Sequence, residues 1–316
     1  MQLSAQNRQA FEKKFSALDK GVIDLLRGGS VLLNWGGFNA SGVIFSFVDK
    51  DDTKATYILT AKHNLLKAEG YDPKKTGAPS TLVKAFVENT VVYYGTSDFV
   101  KRPPKSASLD KGDDNGGNTL IFGDATQNTW EYDVMMVKSA DPGLLAQAKA
   151  CAAVKTPEDL NKLSLQLVDT YATLQRGLKR EFIQCGFGYG NEARSPGDKH
   201  LGKFQVRYTE PTALETAPVY SYDPDSGFDQ QFTNVAQVTA NNENSTAPGD
   251  SGGPLFLVDT SKKGAPVVRL LGTTLGSNHS LAKETEVPDA PVIVNSSNYI
   301  QQFICLAYPD TEGCYA

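Results

Sequence analysis

Six consecutive residues, Gly249-Asp250-Ser251-Gly252-Gly253-Pro254, constrain this 316-residue chain more than any other stretch. They set one hydroxyl among glycines, with an acid immediately before it and the apolar run Leu255-Phe256-Leu257-Val258 just after. Glycine admits backbone conformations that a Cβ forbids and lets the chain approach a ligand closely. Such a loop can expose one side chain and aim neighbouring backbone N–H groups at a single point, which is the construction of an oxyanion hole. The expected donors are the N–H groups of Gly249 and Ser251.

A serine hydroxyl is a weak nucleophile at neutral pH and needs a base within hydrogen-bonding reach, itself oriented by a third group. Two upstream stretches offer those partners. Leu59-Thr60-Ala61-Lys62-His63 carries an apolar strand into a histidine, and Tyr132-Asp133-Val134-Met135-Met136-Val137 carries an acid into a buried strand. Together the three stretches resemble the Thr-Ala-Ala-His, Asp-Ile-Ala-Leu-Leu and Gly-Asp-Ser-Gly-Gly-Pro motifs of the trypsin/chymotrypsin-like serine peptidases, in the order His, Asp, Ser. The resemblance extends to both halves of the chain. Ser41-Gly42-Val43-Ile44 is similar to a strand facing the cleft, Gln184-Cys185-Gly186-Phe187-Gly188 to the Gly-Trp-Gly strand, and Gly272-Thr273-Thr274-Leu275-Gly276 to the substrate-binding strand Ser-Trp-Gly.

The resemblance implies an all-β fold of two six-stranded antiparallel Greek-key barrels, and a serine endopeptidase with the triad His63, Asp133 and Ser251. It also implies a substrate pocket with Ser245 and Thr246 at its floor and Thr274, Leu275 and Gly276 in its wall. No acid stands at Ser245, so the expected preference is for an uncharged side chain, the alternatives being a basic one met by Asp289 or an acidic one met by His279. Asp250 needs a partner other than an amino terminus freed by cleavage, and a basic side chain or backbone N–H groups are expected. Gly249 to Gly253 also satisfies the Gly-x-Ser-x-Gly form of esterases on an α/β fold. There the serine is followed by a helix and precedes its acid and histidine, whereas here Pro254 and a strand-like run follow it and its partners lie upstream. The runner-up reading is an inactive or zymogen-like relative that binds a protein partner.

Helical additions surround the barrels. Phe11, Phe15, Leu18, Val22, Leu25 and Leu26 recur at three- to four-residue spacing and predict a helix over 3–28, which Gly28-Gly29 ends. A helical insertion is predicted over 141–180, with a second helix opening at Thr156-Pro157, and residues 298–304 resemble the family's C-terminal helix. The expected division is therefore an N-terminal helical segment 1–29, a first barrel 30–140, the insertion 141–180, a second barrel with its C-terminal helix 181–304, and a tail 305–316. Strands are predicted at 30–35, 41–47, 57–60, 81–87, 90–94, 119–122 and 133–137, with a surface loop at 103–118. In the second half they are predicted at 181–188, 203–208, 232–240, 255–258, 267–271, 272–276 and 292–294.

Composition narrows the partners. Hydrophobic residues make up 40% and charged residues 21%, ordinary for a globular protein. A net charge of −5 argues against a nucleic-acid surface, and no apolar stretch is long enough to span a membrane. The expected partner is a protein or peptide substrate. Three scattered histidines give no metal-ligand spacing, and no cofactor is expected. The four cysteines, Cys151, Cys185, Cys305 and Cys314, permit two disulfides in three connectivities but do not decide the compartment; a secreted or periplasmic protein is expected, with a cytosolic one the alternative.

Overall fold

The computed structural model describes residues 2–3, 5–35, 38–48, 54–65, 79–95, 105–110, 119–121, 134–139, 141–150, 181–188, 204–209, 211–215, 219–223, 228–232, 235–240, 244–245, 249–259, 267–277 and 292–296. The chain opens with a short strand β1 (Gln2–Leu3) and helices α1 (Ala5–Ser16) and α2 (Lys20–Gly29). Strands β2 (Ser30–Trp35), β3 (Phe38–Val48) and β4 (Lys54–Thr60) follow, then a 3-10 turn (Lys62–Leu65) and helix α3 (Pro79–Asn89). After these come β5 (Thr90–Tyr94), β6 (Lys105–Ser108), β7 (Thr119–Ile121), β8 (Met135–Ser139) and α4 (Pro142–Ala150). The second half holds β9 (Glu181–Gly186), β10 (Gln205–Thr209), β11 (Pro211–Glu215), β12 (Val219–Asp223), β13 (Phe228–Phe232) and β14 (Val235–Ala240). It ends with β15 (Asn244–Ser245), β16 (Pro254–Asp259), β17 (Val267–Ser277) and β18 (Val292–Ser296).

Among the described residues two seven-stranded sheets form, in the orders β6-β5-β2-β3-β4-β8-β7 and β10-β9-β16-β17-β18-β14-β11. In the first sheet the meander β2-β3-β4 is followed by a strand, β5, that returns through α3 to lie beside β2, the order of a Greek key. Two small ribbons, β12-β13 and β1-β15, are also paired among the described residues.

The first sheet buries both faces, and its sequence alternates accordingly. Val31, Leu33, Trp35, Ile44, Ile58, Met135 and Val137 turn to one core, closed by Val83, Phe86 and Val87 of α3 and Leu144 of α4. Val43, Tyr57, Leu59, Val134 and Met136 turn to the other, where they meet Ile183, Cys185, Phe256, Val258, Val268 and Leu270 of the second sheet. Phe15, Val22 and Leu26 of the N-terminal helices lie in that same cluster, so α1 and α2 help to join the two sheets.

Several expectations give way. The single helix over 3–28 is two helices, because Asp19 takes the N-cap of α2 and its side chain accepts from the Gly21 N–H at 2.7 Å. The strand expected at 81–87 is instead α3: Pro79 stands in its first turn, and Val83, Phe86 and Val87 fall at the i, i+3, i+4 spacing of a helix face. The loop expected over 103–118 contains β6, which pairs along β5 from Val91↔Ser108 to Tyr94↔Lys105. What reads as two strands over 267–276 is one, β17, with a register shift between Thr274 and Gly276. Cys185 is a free, buried thiol, so the four cysteines do not form two disulfides. Cys151, Cys305, Cys314, residues 151–180 of the insertion and the C-terminal helix lie outside the described residues.

Candidate active site

His63 and Ser251 are brought together from the two sheets. Strand β4 runs buried through Ile58, Leu59 and Thr60 and delivers His63 on the 3-10 turn that follows it, itself wholly buried. Ser251 sits in the loop leading into β16. The His63 Nε2 and the Ser251 Oγ lie 2.8 Å apart. With the ring proton on Nδ1, the serine hydroxyl donates to Nε2, the geometry a general base needs.

The loop around Ser251 is held bond by bond. Gly253 N donates to Asp250 O at 2.9 Å, and Gly252 N to Thr274 O at 2.7 Å. Thr274 N returns a bond to Gly253 O at 2.7 Å. Ser41 N donates to Ser251 O at 2.9 Å, while the Ser41 hydroxyl donates to Gly249 O at 2.7 Å and accepts from Phe187 N at 2.9 Å. Asn64 Nδ2 reaches both Thr60 Oγ1, at 3.0 Å, and Ser251 O, at 3.4 Å. Thr60 Oγ1 in turn donates to Ser41 O at 2.8 Å. One connected network thus joins the histidine turn, the cleft-facing Ser41-Gly42 strand and the serine loop.

Glycine is required at two of these positions. Gly249 has φ +96°, with Gly188 Cα 2.9 Å from where a Cβ would stand. Gly252 has φ +82°, and a Cβ there would run into Thr60 Oγ1 and Ser41 O. Asp250 is fully buried, and its Oδ1 accepts from the Gly188 N–H at 3.0 Å. A backbone N–H therefore serves as a partner for Asp250, one of the two kinds expected.

Asp133 and Thr246 lie outside the described residues. Val134, next after Asp133 in sequence, is completely buried, and β8 pairs with β4 through Thr60↔Met135. Of the expected pocket residues, Thr274 spends its N–H and C=O on the serine loop, and its hydroxyl accepts from Gln184 Nε2 at 2.8 Å. Leu275 is buried at the register shift of β17, and Gly276 pairs with Ile293. Ser245 pairs with Gln2 in the ribbon formed by β1 and β15, an arrangement with no signal in the sequence. The Ser41 hydroxyl and Asn64 amide were also missed as functional groups. Their only signal is position, one in the small-residue pair of β3 and one directly after the histidine. Among the described residues, no three His, Cys, Asp or Glu side chains stand together to hold a metal ion.

No protein-family profile and no curated protein sequence matches the chain. Solved structures similar to it include serine proteases. A Glu endopeptidase has 13% identity and a TM-score of 0.45, over 90% of this chain and 92% of that one. A thermostable serine protease from an extremophilic microorganism has 11% identity and a TM-score of 0.45, over 90% and 97%. A Drosophila Grass clip serine protease of the Toll pathway has 13% identity and a TM-score of 0.41, over 89% of this chain and 69% of that one. At such low identity these likenesses assign no residue role and no activity to this chain.

Proposed function

We propose that the protein is a serine endopeptidase of chymotrypsin-like fold that hydrolyses peptide bonds through an acyl-enzyme. The observation that carries this reading is the 2.8 Å contact between His63 Nε2 and Ser251 Oγ, built across two sheets from residues far apart in sequence. In this mechanism His63 takes the serine proton as the hydroxyl attacks the scissile carbonyl, then gives it to the leaving amine. Asp133 would hold the other ring nitrogen in the required tautomer and stabilise the imidazolium. The Thr60↔Met135 pairing supports that role, since β4 runs on toward His63 at the edge where β8 begins. The N–H groups of Gly249 and Ser251 would receive the oxyanion. The pocket formed by Ser245, Thr246, Thr274, Leu275 and Gly276 would take an uncharged side chain, with a protein or peptide as substrate.

Labelling of the full-length protein with a fluorophosphonate probe tests the reading. The wild type is expected to be labelled and Ser251→Ala to be blank, with peptide hydrolysis falling by more than about 10⁴-fold in the variant. Absence of wild-type labelling would overturn the proposal.

A further inference from the structure

We infer that the Ser41 hydroxyl is a positioning group that sets the direction of the oxyanion donors from the opposite sheet; this rests on the serine-peptidase reading above. The N–H of Gly249 and the N–H of Ser251 belong to two peptide planes separated by a third, the plane joining Gly249 to Asp250. Each plane is rigid, so the freedom between them lies in φ and ψ alone. The plane that carries the Ser251 N–H is held by its own carbonyl, Asp250 O, which accepts from Gly253 N at 2.9 Å. The middle plane is held by Gly249 O, and the donor that holds it is the Ser41 hydroxyl at 2.7 Å. Gly249 stands at φ +96°, and no Cβ limits rotation about the torsions linking its N–H to the middle plane. A peptide bounded by glycine needs an outside bond to keep one direction, and here that bond comes from a side chain on β3.

Ser41 is fitted for this in two further respects. It is completely buried, so its hydroxyl does not trade Gly249 O for water. Its three polar groups are all engaged, in four hydrogen bonds: N–H with Ser251 O, C=O with Thr60 Oγ1, and the hydroxyl with Gly249 O and Phe187 N. The hydroxyl proton is directed to Gly249 O because the Phe187 N–H can only donate and occupies the oxygen from the other side. Phe187 leads to Gly188, whose N–H holds Asp250. The one hydroxyl therefore ties the donor-bearing loop both to the first sheet and to the strand end that anchors the acid before the nucleophile.

The test compares Ser41→Ala with Ser139→Ala, which removes a hydroxyl bonded to Ser108 O at 3.0 Å in the first sheet, away from the site. Fluorophosphonate labelling rates and kcat and KM on fluorescein-labelled casein are measured for both, with thermal unfolding as a check on folding. Ser41→Ala is expected to lower the labelling rate and kcat together by about 10- to 100-fold, less than loss of a donor itself, with KM within about threefold. Ser139→Ala is expected to keep both rates. Ser41→Cys, which retains a weak donor, is expected to fall between wild type and alanine, and it carries the test if the alanine variant does not fold. Wild-type rates in Ser41→Ala or in Ser41→Cys would overturn the inference, as would an equal loss in Ser139→Ala. A wild type that is not labelled overturns the serine-peptidase reading instead, and the inference falls with it.

Discussion

His63 and Ser251 meet at one point but are placed there by different physics. His63 comes at the end of a regular strand whose flanking residues, Ile58 and Leu59, are completely buried on opposite faces. Ser251 sits in a glycine-rich loop that directional bonds hold, from Ser41, Thr274, Gly253 and Gly188. Apolar packing is broad and tolerant, so damage to it is felt as lost stability. Hydrogen bonds fix direction, so damage to the serine loop should be felt first as lost rate. The comparison implies that stability and activity separate between the two halves of the site.

Gly252→Ala should show the largest effect on the loop side. The residue sits at φ +82° with Thr60 Oγ1 and Ser41 O where a Cβ would go, so the loop must move away from both. Labelling by a fluorophosphonate is expected to fall by about 100-fold or more, as misplacement of a reacting group by about 1 Å can do. Measured beside thermal unfolding, near-wild-type labelling in a folded variant would show that the loop tolerates displacement and would erase the contrast.

That the loop depends on bonds from distant elements also explains which parts were legible in the sequence. The strands flanking the site could be read because alternation has one cause, burial on a pleated surface, and β2, β4, β5 and β16 fall within a few residues of where the pattern puts them. The segment Thr81 to Val87 failed because a short apolar run satisfies strand and helix periods alike, and tertiary packing beneath the first sheet chose the helix. The motif named Ser251 and His63, and their contact is seen; Asp133 lies outside the described residues. Nothing local could show that Ser41 holds Gly249 O, since that bond joins residues 208 apart in sequence. Likewise the pairing of Gln2 with Ser245 depends on where the whole chain leads its first residues.

On the strand side, Ile58→Ala should give the converse result. Ile58 is fully buried in the core between the first sheet and helix α3 and faces away from the sheet junction. Its truncation is expected to cost about 2–5 kcal/mol in urea unfolding, while turnover stays within about twofold of wild type under folding conditions. If turnover instead fell by about 100-fold without a matching loss of stability, His63 would be held by fine alignment, as Ser251 is, and the two halves would no longer differ.

The smallest expected effect sharpens the comparison at the seam between the sheets. Cys185 lies on β9 in the shared core, and burial pushes its thiol pKa far up, against the smaller opposing effects of the Ser30 hydrogen bond and the Arg27 charge. A folded-state pKa raised above the unfolded value stabilises the protein while pH is below the unfolded thiol's, about 8.5, and that stability is lost as pH rises beyond it. Between about pH 7.5 and pH 9.5 the loss is expected to be on the order of 1 kcal/mol. Urea unfolding of wild type and Cys185→Ala at both values isolates this part, because other titrating groups act alike in the two proteins. Cys185→Ala should be less stable at the lower pH, where it lacks the buried side chain, and should lose less, by on the order of 1 kcal/mol, on going to the higher one. Equal slopes would mean that the thiol ionises as readily in the folded core as in the unfolded chain, and that the seam between the sheets admits water. In that case the dry packing credited with placing His63 would stop short of the junction, and the hydrogen-bonded loop would be the part that holds the two halves of the site in register.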